Sequence, residues 1–382
     1  MDFGQGDTYA GHDRIRGALD AMFGPTPLRT GELFDHLNLD TVVSIAPDGR
    51  TASARTLQLG MMGINGQYGR WELGIYENEF VKEDGIWKLR ALRYYPRILT
   101  DYDKGWGKDA IPSKSSYASY PKVHYVAFHY VNPVTRRAVR YPAGQITQVK
   151  AVKTEAAALT PVTNASFDAT LALAERRLDM AIGVDAVENL NSSYGYYLDE
   201  SAWDQMADTF AINGGAKEIS GAGVYVGQER IRKILKLRGP NGGRGATSFT
   251  IHQLTQPVIH VAEDANSAKA RFRLFQSGGS ANGSSGSWIG GLYENTALKE
   301  NGEWKFGVQD LHHTFNAPYR TGWGHMPGPS RTGSAAAGPR LVTEMPPDRP
   351  IRSRQYAFPE IDEPAFHYRN PVSGRMPAQL LP

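Results

Sequence analysis

A chain of 382 residues with 41% hydrophobic content is long enough for two or three domains of roughly 100–200 residues, each with its own core. Its 42 Lys and Arg stand against 39 Asp and Glu, leaving a net charge of +3 with no long run of one sign, which excludes the electrostatic footprint of a nucleic-acid binder. No cysteine is present, so disulfides, thiolate nucleophiles, iron–sulfur clusters and cysteine-ligated zinc are excluded together.

The opening MDFGQGDTYAGHDRIRGALD lacks the apolar core of a signal peptide, and no stretch approaches the ~18 apolar residues of a membrane span. A cytoplasmic protein without membrane contact is expected. From Tyr9 onward the chain is written twice, at an offset of 216 to 217 residues. Tyr9, Gly11, Arg14, Ile15, Arg16 and His36 return as Tyr225, Gly227, Arg230, Ile231, Arg232 and His252. Trp71 to Gly107 matches Trp288 to Gly324 at 14 of 37 positions, most clearly in YENEFVKEDGIWK against YENTALKENGEWK. A further block, AFHYVNPVTRR at 127–137, returns as AFHYRNPVSGR at 365–375. The two copies differ at the front, because residues 166–224 precede Tyr225 and only eight precede Tyr9. The sequence therefore divides into an incomplete first repeat at 1–110, an extended arm and linker at 111–165, a complete second repeat at 166–326, and a Gly- and Pro-rich arm at 327–382. The aromatic AFHY blocks are expected to lie over the opposite repeat, since they are too apolar to leave in water.

In the complete copy, Leu178, Ile182, Val187, Leu190, Tyr194 and Tyr197 keep helical spacing across Leu171–Leu198. Ser201 with Asp204 reads as the start of a short second helix carrying Trp203, Met206, Ala207 and Phe210, and Gln228–Leu237 reads as a third. From Ser248 the pattern changes to strands of period two, with Asn301–Gly302 as a hairpin turn and Asp84–Gly85 at the equivalent place in the first copy. The expected fold class is α+β: tandem cones in which helices close the concave face of a curved antiparallel sheet, the first copy lacking its opening helices.

The run VENLNSSYGYYLDESAWDQMADTFA, the Gly223–Ile231 block, the FTIHQLTQPVIHV strand and GGLYEN…NGEWKF resemble, in order, the landmarks of the SnoaL-like branch of the nuclear transport factor 2-like superfamily. That branch includes polyketide cyclases, dehydratases and dehydrohalogenases. Its hexachlorocyclohexane dehydrochlorinases use an Asp–His dyad, and the resemblance puts the dyad on Asp199 and His252. Where those enzymes carry a helical Lys this chain has Tyr194, and near their last-strand Arg it has Gln309. The resemblance thus implies that cationic help for a departing chloride is missing. A looser resemblance, to lyases of lignin-derived dimers, implies loss of water and formaldehyde from a propane-diol side chain to leave a stilbene.

The residues support acid–base chemistry in their own right. A histidine titrating near neutrality removes a proton effectively when a carboxylate fixes its tautomer. The bland alternative is a satisfied core histidine beside a helix-terminal aspartate. Tyr194 would hold or protonate a leaving oxygen, and Tyr197, three residues on, shares its helical face; both read equally well as core. Trp203, Arg271, Gln309 and His313 are the remaining substrate-binding candidates. Arg271 is repeated as Arg55 in a copy without the Asp, which favours a structural ion pair. The first copy's own surface would offer Arg93, Tyr95 and Arg97. The histidines are too scattered for a metal site, and no cofactor is expected. The reading is a cofactor-independent lyase for a hydrophobic aromatic small molecule, with no nucleic-acid or membrane partner, as a monomer or a homodimer of tandem chains. A non-catalytic pseudo-dimer that binds a hydrophobic ligand or a protein, and an isomerase or cyclase of the same fold, remain as alternatives.

Overall fold

The computed structural model describes residues 1–3, 8–24, 29–108, 125–132, 135–141, 146–147, 167–239, 248–280, 285–326, 339–351, 358–360 and 364–377. Of the expected linker at 111–165 and arm at 327–382, the stretches 112–119, 143–164 except Ile146–Thr147, and 327–338 fall outside these residues. The chain divides into two compact units, Met1–Thr160 with Tyr368–Ala378, and Pro161–His367 with Gln379–Pro382.

Among its described residues, unit 1 has one helix, α1 (His12–Phe23), followed by β1 (Glu32–Ile45), β2 (Thr51–Ile64), β3 (Tyr68–Glu83), β4 (Ile86–Ala91), β5 (Tyr94–Asp101) and a small parallel pair, β6 (Tyr125–Val126) with β7 (Ile146–Thr147). Its sheet runs β1-β2-β3-β4 with β5 also on β3, all antiparallel. Of the basic and phenolic set expected here, Tyr95 is 3% exposed and packs with Ile75 and Val126, and Arg93 is paired with Glu79 at 2.8 Å. These two are packing and ion-pair residues of the unit.

Unit 2 opens with α2 (Phe167–Asp199), α3 (Trp203–Asp208), the hairpin β8 (Ala216–Ile219) and β9 (Gly223–Val226), and α4 (Gln228–Lys236). Five long strands follow: β10 (Ser248–Val261), β11 (Ser267–Ser280), β12 (Gly286–Glu300), β13 (Glu303–Gln309) and β14 (Leu311–Pro318); α5 (Pro339–Glu344) comes last. The sheet order is β10-β11-β12-β13-β8-β9, with β14 also on β12 and only the β13–β8 pair parallel. One half of β12 pairs with β14 and the other with β13, the change of partner falling between Tyr293 and Thr296. Bulges interrupt the ladders at Thr255/Val258, Gly290/Gly291 and Thr296/Ala297, and at the equivalent steps of unit 1, Leu39/Val42, Leu73/Gly74 and Glu79/Phe80. Bulges of this kind raise local twist and close a sheet around an interior.

Two Gly-assisted turns behave as their sequences require. Asn301 at φ 55° with Gly302 at φ 84°, and Asp84 at φ 51° with Gly85 at φ 79°, are left-handed pairs that match hairpin twist. Helix α2 departs from expectation in its first half. Leu178 and Ile182 are 60% and 54% exposed, and only from Gly183 do Val187, Asn191, Tyr194 and Leu198 turn one face to the sheet. Ser201 does not cap α3; it takes φ 55°, and Ala202 occupies the cap position without a side-chain bond. Below α2, Phe210, Tyr225, Ile231, Leu235, Phe272 and Phe306 are buried in one core. No helix among the described residues is long and apolar enough to cross a membrane.

The Ala127–His129 part of the first AFHY block lies on unit 1 and the Ala365–His367 part of the second lies on unit 2, where each was expected on the opposite repeat, while Tyr368–Ala378 is grouped with unit 1. Arg271 on β11 is ion-paired to Glu294, its cross-strand partner on β12, donates to the carbonyls of Pro364 (2.7 Å) and Ala365 (3.1 Å), and stacks on Phe366 at 4.2 Å. His367 Nδ1 then lies 2.9 Å from Glu294. In unit 1, Arg55 pairs with Glu77, bonds the carbonyls of Val126 and Ala127, and stacks on Phe128 at 4.2 Å, while His129 meets Glu77 at 2.9 Å.

Candidate active site

Asp199 is the last residue of α2, an electrostatically poor place for a carboxylate because the helix dipole is negative there. It is held by β10. The backbone N–H of His252 donates to both carboxylate oxygens, at 3.1 and 3.0 Å, and His252 Nδ1 lies 2.6 Å from Oδ1. A carboxylate only accepts, so the ring proton sits on Nδ1 and Nε2 is left as the base. The two side chains are about 90% covered, His252 at 9% and Asp199 at 10% exposure. The approach of α2 to β10 depends on Gly195, where a Cβ would come within 3.0 Å of Leu254.

His252 lines a cavity of about 120 Å³ between the helices and the sheet of unit 2. That is close to the ~150 Å³ at which an apolar cavity accepts benzene, so one aromatic ring or a short side chain fits. Tyr194, Gln309 and His313 line the same cavity, together with Lys217, Ser220 and Arg238. Tyr194 is 2% exposed, and burial pushes its phenol well above the ordinary value, keeping it protonated. His313 has its Nδ1 3.3 Å from Ser220 Oγ, and burial, followed by the charges of His312 and His252, pushes it down to about 4. It is neutral at physiological pH.

Three expected site residues are elsewhere. Arg271 is taken up by Glu294 and the carbonyls of the arm, because its guanidinium fork matches those acceptors. Trp203 is 5% exposed in the core, with its indole N–H donated to the carbonyl of Gly239 at 3.0 Å. Tyr197 packs on the edge of that core, three residues and most of a turn from Tyr194.

A cation is also present after all. Lys217, on the four-residue β8, is 5% exposed, donates to the Tyr194 hydroxyl and lies 2.7 Å from Gln309 Oε1. Burial first, and then the charge of Arg238, push its ammonium well below the ordinary lysine value. The sequence offers no periodic signal for it, since β8 reads AKEI, two charged residues in four. Among the described residues, no three His, Asp or Glu side chains come together as metal ligands.

The SnoaL-like domain description matches the chain over residues 1–93 and 182–308. The chain belongs to the SnoaL-like domain family. The matched segments run through α1 to β4 in unit 1 and from α2 to β13 in unit 2, and include Asp199, Lys217 and His252. Among solved structures, a putative scytalone dehydratase from Novosphingobium aromaticivorans is similar at 21% identity, over 41% of this chain and 99% of that one, with a TM-score of 0.32. The hexachlorocyclohexane dehydrochlorinase LinA-type3 of Novosphingobium barchaimii is similar at 19% identity, over 40% and 99%, with a TM-score of 0.33. ActVI-ORFA of Streptomyces coelicolor is similar at 15% identity, over 34% and 95%, with a TM-score of 0.30. No curated protein matches the chain.

Proposed function

We propose that this SnoaL-like protein is a lyase whose base is His252, oriented by Asp199, acting on a hydrophobic aromatic small molecule held in the cavity of unit 2. The observation that carries the reading is the two-point hold on the carboxylate: Asp199 fixes both the backbone and the ring of His252, leaving Nε2 as the proton acceptor at the cavity wall. Such general-base help is worth roughly 10²–10⁴ in rate. The Tyr194 hydroxyl, its oxygen already accepting from Lys217, is the donor for a departing oxygen.

The narrower substrate class is a lignin-derived diarylpropane diol, of which the cavity volume matches one ring. His252 takes the proton of the primary hydroxyl, the adjacent carbon–carbon bond breaks to release formaldehyde, and its electrons form the stilbene double bond. The benzylic hydroxyl leaves as water with a proton from Tyr194. The balance is one diol to one stilbene, one formaldehyde and one water. A non-catalytic binder would have no use for a tautomer-fixed histidine at a cavity wall, and an isomerase would return the proton to carbon.

The test is formaldehyde release and stilbene absorbance from a panel of diarylpropane and phenylcoumaran diols, wild type against His252→Ala. Turnover that falls by about 10²-fold or more in the variant is the expected result. Equal turnover in the two proteins would remove His252 from the chemistry, and silence of the wild type on every diol would remove the diol class.

A further inference from the structure

Lys217 is the most deeply placed cation of unit 2 that the acid–base scheme does not consume. Its Nζ has two hydrogen-bond partners among the described residues, the Tyr194 hydroxyl and Gln309 Oε1, and both residues are 2% exposed or less. Its Nζ forms no ion pair among those residues, although Glu218, next in the chain, lines the same cavity and its charge favours the ammonium. An ammonium brings three N–H donors and no lone pair, whereas a neutral amine brings two donors and one lone pair. Two acceptors therefore match the neutral amine. A charge at this depth without an ion-pair partner is costly, and the permanently cationic Arg238, which lines the same cavity, acts on Lys217 more strongly than Glu218 does. Burial lowers the Lys217 ammonium well below its ordinary range, in the direction that geometry requires.

We propose that Lys217 is a nucleophilic amine that captures aldehydes and ketones, aromatic carbonyl compounds above all, as a Schiff base in the unit 2 cavity. Nζ adds to the carbonyl carbon while one proton passes from nitrogen to the carbonyl oxygen, with the Tyr194 hydroxyl as the adjacent relay. The carbinolamine then takes one solvent proton, loses water and leaves an iminium cation. Amine, carbonyl compound and proton thus give iminium and water. Tyr194 offers its ring as well as its hydroxyl, with Nζ 4.9 Å from the ring centroid, and a π face so placed attracts a cation. Desolvation is the standard means of activating a lysine for this reaction. The cavity at about 120 Å³ admits a single ring bearing a carbonyl.

This assignment stands apart from the lyase reading, and its test needs no diol. The full-length protein is incubated with benzaldehyde and cyanoborohydride at a series of pH values. Hydride reduces the iminium to a stable secondary amine, and peptide mapping locates it. At neutral pH, Lys217 is expected to be labelled about tenfold faster or more than Lys233, an exposed lysine on α4. The rate should level off at a lower pH for Lys217 than for Lys233. Lys217→Met should lose the label while keeping that on Lys233. A wild-type protein labelled at Lys233 and not at Lys217, or equally at both, overturns the proposal whether or not the variant folds.

Discussion

Asp199 does two jobs with one carboxylate, and substitutions separate them. Asp199→Asn keeps an acceptor oxygen for one of the His252 donors but presents an amide N–H to the other. The ring can then bind with its proton on Nε2, the wrong tautomer for a base. If the proposed lyase reading holds, turnover should fall by about 10²–10⁴ with little change in melting temperature, measured by steady-state kinetics beside a thermal scan. Asp199→Ala should add a stability loss of about 1–3 kcal/mol, since buried donors on His252 lose their partner. Tyr194→Phe keeps the ring packing against Phe306 and Phe210 but removes the acceptor for Lys217. It should reduce turnover with a smaller stability change than Tyr194→Ala, which opens the core. Asp199 and His252 were legible in the sequence because helix end and strand carry recognisable runs. Lys217 was not, because β8 is four residues long and gives no periodicity to place a side chain inside or outside.

Among the elements, the Arg271–Glu294 pair and the arm that covers it form a closed polar assembly with side-chain exposures of 7% and 14%. Breaking a buried pair from one side leaves the other charge stranded. Arg271→Met should cost about 3–5 kcal/mol, and Arg271→Met with Glu294→Leu should recover part of it, as read by denaturant unfolding. Arg271→Lys should not rescue the pair, because an ammonium cannot span Glu294 and two carbonyls while lying flat on Phe366. The strands and their turns were legible from alternation and the Asn–Gly and Asp–Gly signals. The exposed start of α2 and the seating of the arms were not. Spacing shows that Leu178 and Ile182 share a helical stripe, but not that the sheet ends before it reaches them.

For the whole molecule, two compact units with separate sheets predict two transitions in calorimetry. His313 belongs to unit 2 and is held neutral at about 4, below its unfolded value of ~6.5. The unfolded state therefore binds the extra proton across that window, and stability is lost as pH falls from about 6.5 towards 4, by at most about 3 kcal/mol. His313→Asn should flatten this acid dependence in one transition and leave the other unmoved. The seat that recurs in both units has a further meaning. Three of its contacts to each arm are to backbone carbonyls and an aromatic face, and the carbonyls come from Val126 and Ala127 in one unit and Pro364 and Ala365 in the other. A carbonyl is the same in every residue, so the spelling of the arm at those positions is free. What identifies the arm to its seat is two letters, Phe-His, and a related chain would be recognised by that pair following a cross-strand Arg and Glu, however far the intervening text had drifted.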